Sequence, residues 1–566
     1  KKQNKMTNVD EGVDVIEPKK KNNKNLNDKK DNKEKKSNKT SSKNEEDEKI
    51  TDKENDFSIF DRKKLLINAE KAAKEKKYDE AIDIYKYLIK KYKKDLDNYF
   101  KLGKLYMEME LYEKGLDIFN RGIKYSDEKD ALYLNKGVYL FHLERYEEAL
   151  ETYNEGLKVD PKDHNLFHNK GVTLNKLGRY NEAIQSFKSG IILKSNDPSL
   201  YNNLGVSYSK IKEYKQSLIY YEEAIRLNPN DHLVYINNGI SLRALNRLDE
   251  ALDNFKKSSE LREKYPVSYY YMAIIYKMKK DYKNALKYFD ISIGLKKDYL
   301  HAYYYKGVTL NEMGREDEAL KCFHKCLELN PNYDFAYLNM GIIYDKLGKT
   351  DEALKYYDKA LELNPNFAEA YLNKGITLYN IGKYDEALDN YEKAIKCNDK
   401  MPIAYNNKGL CLVKLKRYDE ALEAYNKALE IDPNYLDTYI NKGVCLRDME
   451  KFEDAYGEFD KALKLKSNYY LAYFHLGLIY GKKKSREDLE KGIKFFNLSL
   501  KYNPNFSKSY FQRGLLEMKI FLYGEAIQSF LWCKQLRNNK DELCDKKIQE
   551  CTVEVNKLLN KQYNNY

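Results

Sequence analysis

The chain has 566 residues, of which 42% are hydrophobic and 34% are charged, so it is neither a fully disordered nor a fibrous protein. It carries 101 Lys and Arg against 89 Asp and Glu, a formal net charge of +12. No apolar stretch approaches the roughly 18 residues that a transmembrane helix needs, so we expect no membrane insertion.

The first predicted element is a tail over residues 1–56, rich in Lys and Asn, which holds 16 Lys and 14 acidic residues. It shows no helical period, so we expect it to be disordered. Lys19, Lys20 and Lys21 follow Pro18 and match a short basic localisation motif, but such motifs often occur by chance. We therefore expect an intracellular protein, cytoplasmic rather than nuclear. Residue 1 is Lys rather than Met, which leaves open whether a signal peptide or other sequence precedes it.

A 34-residue repeat follows, and glycine marks its period. With this glycine as position 8, residues 62–540 divide into fourteen units. Thirteen units have 34 residues, and the thirteenth unit has 37 because of a three-residue insertion near Gly481 to Lys484. The glycines at position 8 are Gly103, Gly137, Gly171, Gly205, Gly239, Gly307, Gly341, Gly375, Gly409, Gly443, Gly477 and Gly514.

Each unit has the pattern of a helical hairpin. Positions 4, 8 and 11 form one stripe of a first helix, and positions 20, 24 and 27 form one stripe of a second. Position 20 is small and position 24 is always Tyr or Phe. Glycine inside a helix costs about 1 kcal/mol relative to alanine, so its recurrence indicates close approach of two helix backbones. One hairpin cannot bury both stripes, which predicts stacking into a solenoid.

The pattern resembles the tetratricopeptide repeat family. The stretch from Tyr371 to Ala394 (YLNKGITLYNIGKYDEALDNYEKA) carries the resemblance at nearly every signature position. The resemblance implies an all-α, right-handed α-solenoid of about fourteen hairpins. After the array, Leu543, Ile548, Cys551 and Leu558 recur at helical spacing, which predicts a C-terminal capping helix over residues 541–561. A partner-binding helix is the alternative for this segment.

No catalytic constellation is recognisable, so we expect a protein that is not an enzyme and has no cofactor or metal. The eight cysteines show no CxxC spacing, which favours reduced structural thiols. Lysines and acidic residues alternate along the array, and no RNA-binding motif is present, so no nucleic-acid partner is expected.

Position 6 is the candidate binding position, because it points away from the seam between the two helices of a hairpin. Eight of the fourteen units carry Asn there, whereas 40 Asn in 479 residues would place about 1.2 by chance. An amide can pair with both N–H and C=O of an extended peptide. The candidate peptide-binding residues are Asn135, Asn169, Asn203, Asn237, Tyr271, Tyr305, Asn339, Asn373, Asn407 and Asn441.

The array also resembles the asparagine ladder in the repeat superhelix of O-linked N-acetylglucosamine transferases, without their catalytic domain. That resemblance implies a protein-binding scaffold or adaptor that holds extended or disordered protein segments in a concave groove. Three alternatives stay open. The asparagines could instead join neighbouring helices, the chain could be the targeting subunit or a fragment of an enzyme such as a glycosyltransferase, or it could be a structural subunit of a large assembly that forms a homodimer.

Overall fold

The computed structural model describes residues 61–127, 129–537 and 541–563, with side chains described up to residue 558. The predicted tail over residues 1–56 lies outside these residues. All regular elements in the described part of the chain are α-helices, 29 in number. Twenty-eight of them form fourteen consecutive hairpins, which confirms the predicted all-α hairpin array.

The odd-numbered helices α1 to α27 are the first helices of the hairpins, each of 13 residues. They are α1 (Arg62–Lys74), α3 (Leu96–Glu108), α5 (Asp130–His142), α7 (His164–Lys176), α9 (Pro198–Lys210), α11 (His232–Ala244), α13 (Pro266–Met278), α15 (Leu300–Glu312), α17 (Asp334–Lys346), α19 (Ala368–Asn380), α21 (Pro402–Lys414), α23 (Leu436–Asp448), α25 (Tyr470–Lys482) and α27 (Ser507–Lys519).

The even-numbered helices are the second helices, and α29 follows the last hairpin. They are α2 (Tyr78–Lys91), α4 (Tyr112–Tyr125), α6 (Tyr146–Val159), α8 (Tyr180–Leu193), α10 (Tyr214–Leu227), α12 (Leu248–Leu261), α14 (Tyr282–Leu295), α16 (Glu316–Leu329), α18 (Thr350–Leu363), α20 (Tyr384–Cys397), α22 (Tyr418–Ile431), α24 (Phe452–Leu465), α26 (Arg486–Tyr502), α28 (Tyr523–Leu536) and α29 (Glu542–Tyr563). The three inserted residues of the thirteenth unit lengthen α26 to 17 residues, from 14 in the other second helices.

The turn inside nearly every hairpin contains one residue in the left-handed region, always at position 15 of its unit. Its φ lies between 57° and 83°. These residues are Lys76, Glu110, Glu144, Gly178, Lys212, Asn246, Lys280, Gly314, Gly348, Gly382, Lys416, Glu450 and Phe521. The left-handed residue ends the first helix and reverses the chain, although only four of the thirteen are glycine, the residue that adopts this conformation without strain.

In twelve of the fourteen hairpins, the core is built where the glycine at position 8 of the first helix meets the ring at position 24 of the second, and Ala69 and Ala273 take the place of the glycine in the other two. The rings at position 24 are at most 2% exposed in every unit. At Gly375, an added Cβ would lie 2.7 Å from Cε1 of Tyr391, closer than real carbon atoms approach. Alanine at position 20 of the same hairpin, Ala387, is fully buried. The sequence-based explanation for the glycine, close packing of the two helices, is therefore confirmed.

The chain divides into two compact units whose boundary falls between Ala302 and Tyr303, within α15. Inside each unit, consecutive helices pack in pairs, and first helices of successive hairpins also contact one another, as α5 does with α7 and α21 with α23. In the C-terminal unit, α29 packs against α28. Cys544 and Cys551 of α29 join the core of the last hairpin with Phe530, whereas Leu543 and Leu558 of the predicted stripe are half exposed.

A pair of glycine substitutions tests the close approach. Gly375→Ala should destabilise the protein by about 1–3 kcal/mol, because the new methyl group overlaps the buried ring of Tyr391. Gly457→Ala in α24 is the matched control, since nothing lies within 4 Å of its added Cβ. It should stabilise the protein by about 1 kcal/mol through helix propensity. Urea unfolding followed by circular dichroism measures both, and equal stabilisation by the two changes would contradict the packing explanation.

Candidate peptide-binding face

The candidate residues at position 6 all lie on first helices, but they differ in burial. Asn135, Asn169, Asn203 and Asn237, in α5, α7, α9 and α11, are half-buried, and so is Asn441 in α23. Asn339, Asn373 and Asn407 are only 0%, 1% and 3% exposed, and Tyr271 and Tyr305 are 3% and 7% exposed. The first four asparagines are therefore the more accessible group.

Apolar side chains lie beside these four asparagines. Position 9, one turn further along each helix, is apolar and half-buried. We define the asparagine face as Asn135, Val138, Asn169, Val172, Asn203, Val206, Asn237 and Ile240 of the N-terminal unit. Exposed lysines at position 13, Lys176 and Lys210, lie one further turn along α7 and α9 and add positive charge at its edge.

Three of the candidate amides donate to a backbone carbonyl one turn earlier in their own helix. The Nδ2 atoms of Asn135, Asn339 and Asn373 each lie 2.8 Å from the carbonyl oxygen four residues before. A carbonyl oxygen only accepts hydrogen bonds, so this contact fixes which end of the amide faces the helix. The Oδ1 atom is therefore directed away from that carbonyl.

Four of the candidate amides also join neighbouring first helices, each through the residue 35 positions earlier. Asn203 lies 2.9 Å from Nε2 of His168, and Asn237 donates to Oδ1 of Asn202 at 3.0 Å. In the C-terminal unit, Asn339 donates to the hydroxyl of Tyr304 at 3.1 Å and Asn441 to Oδ1 of Asn406 at 2.9 Å. The alternative of a structural role thus has direct support at these four positions.

The partner in each of these bonds stands at position 5 of the preceding unit, which the sequence analysis did not single out. The signal was present in the sequence. Position 5 is polar or a tyrosine in those four units, and in each case Asn follows 35 residues later. Where position 5 is Leu, as at Leu134, Leu338 and Leu372, the corresponding asparagines make no such bond.

The tyrosines at position 6 pack against other rings. Tyr271 stacks on Phe255 with ring centroids 5.1 Å apart, and the guanidinium of Arg243 lies 5.9 Å from its centroid. In the C-terminal unit, Tyr305 meets Tyr304 edge to face at 5.1 Å. Both tyrosines contribute to packing within their units, whatever further contacts they make.

His475 occupies position 6 of α25. Its Nδ1 lies 2.9 Å from Nη1 of Arg447, and its ring stacks on Phe459 at 5.4 Å. Burial, reinforced by the cation of Arg447, lowers the pKa of His475 to about 3. The imidazole is therefore neutral at pH 7 and accepts a hydrogen bond from the guanidinium.

A group of potential metal ligands lies in the C-terminal unit, where α28 meets α29. The ligand atoms of Cys533, Asp541 and Cys544 lie within 4.8 Å of one another. The carboxylate of Asp541 already accepts from the guanidinium of Arg537 and from the backbone N–H groups of Leu543 and Cys544. Burial raises the pKa of both thiols. Neutral thiols beside an arginine cation are a poor fit for a divalent metal, whereas the carboxylate caps the start of α29.

Every described helix is too short or too polar to span a bilayer.

Tetratricopeptide repeat models match much of the array. One model described as tetratricopeptide repeat matches residues 131–163, 198–231, 301–333, 335–367 and 402–435, a second matches 152–185 and 356–389, and a TPR repeat model matches 173–212. The chain therefore contains tetratricopeptide repeats, as the sequence pattern indicated. No curated protein matches the chain.

Solved structures with similarity to the chain include the APC/C hetero-tetramer Cut9-Hcn1, at TM-score 0.46 and 16% identity over 86% of this chain and 96% of that one. Yeast Tom70 has a TM-score of 0.39 and 20% identity over 77% and 95% of the two chains. YrrB, described as a TPR protein with an unusual peptide-binding site, has a TM-score of 0.27 and 28% identity over 32% and 95%.

The low pKa of His475 predicts acid sensitivity. Unfolded histidine binds a proton below about pH 6.5, while the folded side chain does so only below about 3, so stability falls as pH falls through that window. Between pH 7 and 5 this should cost up to about 2 kcal/mol. His475→Asn should lose less stability than the wild type over that range in urea unfolding, and the exposed His324→Asn should match the wild type. If His475→Asn lost as much stability as the wild type between pH 7 and 5, the low pKa of His475 would not be the cause of the acid sensitivity.

Proposed function

We propose that the protein is a non-catalytic scaffold that binds extended segments of other proteins along the asparagine face. The observation that carries this proposal is the row of four half-buried amides on the successive first helices α5, α7, α9 and α11, with an apolar row beside it. Such a face can pair with the backbone of a segment through the amides and bury some of its side chains against valine and isoleucine. The fold supports the general role, since stacked hairpins present long binding surfaces.

The side chains of the asparagine face also favour particular side chains on the bound segment. Val138, Val172 and Val206 favour apolar side chains on the ligand, and the exposed Lys176 and Lys210 favour acidic ones. We therefore propose an intracellular partner segment that is extended, partly apolar and acidic. We assign Asn339, Asn373, Asn407 and Asn441, with Tyr271 and Tyr305, mainly to packing and to bonds between hairpins.

The test must separate ligand binding from the bonds between hairpins, and the chain offers a matched control. Asn203→Ala with Asn237→Ala removes two amides of the face together with the bonds to His168 and Asn202. His168→Ala with Asn202→Ala breaks the same two bonds but leaves both amides of the face in place. Both double variants should therefore lose similar stability.

Only the first double variant should lose partner binding. Partners are first identified by proximity labelling with the wild type. They should bind the Asn203→Ala, Asn237→Ala variant about 10- to 30-fold more weakly, because two hydrogen bonds of about 1 kcal/mol each are lost. Titration of the purified partner segment against each variant gives these affinities. If both double variants weakened partner binding equally, the amides would contribute only by joining neighbouring hairpins and not by contacting the partner. Product formation by the purified chain in a glycosyltransferase assay would overturn the non-catalytic role.

A further inference from the structure

Several amides at position 6 hold their nitrogen atoms against the protein and leave their oxygen atoms open. The back-bonds of Asn135, Asn339 and Asn373 to carbonyl oxygens fix this orientation. In Asn339 both hydrogens of Nδ2 are used, since this atom also donates to Tyr304. The Oδ1 atoms of Asn339 and Asn373 are buried and accept nothing from any described residue.

Three of the four asparagines of the asparagine face share this polarity. Burial lowers the pKa of His168, so its neutral ring can accept at Nε2 from Asn203. Asn237 and Asn135 likewise donate through Nδ2, to a side chain and to a backbone carbonyl. The sequence led us to expect that each amide pairs with both N–H and C=O of a ligand, but in these asparagines Nδ2 already bonds within the protein. The atom that each of these three amides leaves wholly to a ligand is its acceptor.

The spacing of these acceptors follows from the contacts between helices. Hydrogen bonds join position 5 of one first helix to position 6 of the next, so the helices are in direct contact. Helices in contact have axes about 8–10 Å apart. A ligand that crosses the first helices therefore meets the acceptors of Asn203 and Asn237 about 8–10 Å apart, and that of Asn135 about twice as far from Asn203, because α7 lies between them.

Two extended conformations can be compared with that spacing. A β-strand rises about 3.3 Å per residue and repeats each side every second residue, about 6.6 Å, so it falls out of register after one step. A polyproline II helix rises about 3.1 Å per residue and repeats every third residue, about 9.3 Å. Only the second keeps an N–H in step with each acceptor.

We propose that the asparagine face recognises a segment in the polyproline II conformation. Two of its backbone N–H groups, three residues apart, are donated to Oδ1 of Asn203 and Asn237, and a third, six residues before them, is donated to Oδ1 of Asn135, because α7 lies between α5 and α9. This inference rests on the proposed function and specifies its ligand. Proline fits at the two intervening positions, because their N–H groups face away from the amides. A polyproline II ligand is also ordered before it binds, which lowers the entropy lost on binding.

Three synthetic peptides of about 15 residues, with blocked ends, test the proposal. The first repeats Pro-Pro-Ala, which has one N–H every third residue. The second repeats Pro-Pro-(N-methyl-Ala) and lacks only that N–H, and the third is polyproline. Methyl NMR of the full chain reports binding at Val138, Val172 and Val206, which lie within the face.

The Pro-Pro-Ala peptide should shift these methyl signals and bind at least tenfold more tightly than both controls. Asn203→Ala with Asn237→Ala should abolish the difference, and His168→Ala with Asn202→Ala should preserve it. Equal binding of the three peptides would overturn the N–H acceptor role but leave a face that holds extended segments. No binding of any of the three would overturn the polyproline II ligand, and the partner titration above then decides separately whether the face binds proteins at all.

Discussion

Twelve of the fourteen hairpins share one close contact, between the glycine at position 8 of the first helix and the ring at position 24 of the second, and the regular array is built on it. This contact sets the distance between the two helices, and the first helix of the hairpin covers one side of the ring. Among these glycines, Gly137 against Tyr153 shows the contact at its tightest. Because twelve of the fourteen units repeat it, the hairpins have nearly the same shape, and units of similar shape can stack in a regular series.

That regular stacking is what places equivalent side chains of successive first helices side by side. Position 6 of one hairpin then lies next to position 5 of the one before, and polar residues at both positions form a bond, as Asn237 and Asn202 do. The same amides thus help to hold the array together and carry oxygen atoms that the array does not use. A structural role and a binding role are compatible in one side chain because the nitrogen and the oxygen serve different partners.

The two groups of asparagines show how burial divides those roles. Asn203 and Asn237 remain half-buried beside valine and isoleucine, whereas Asn339 and Asn373 are almost completely buried with an unpaired oxygen. A buried polar atom without a partner costs free energy, about 1–3 kcal/mol. At position 6, Asn339 and Asn373 of the C-terminal unit therefore carry a cost that the half-buried asparagines of the N-terminal unit avoid.

The period, the hairpin and the residues of the core could all be predicted from the amino-acid sequence. These follow from spacing alone, since a 3.6-residue helix places positions 4, 8 and 11 on one stripe wherever it lies. The conformation of the turns and the hydrogen bonds of the amides depended instead on contacts between helices. Lys416 and Glu450 adopt the left-handed turn conformation, which a glycine at these positions would have indicated in the sequence. The packed helices on either side hold these turns in that conformation. Whether an amide at position 6 bonds to the neighbouring first helix depended on whether position 5, 35 residues earlier, offered a polar atom, and only the contact between hairpins brings those two positions together.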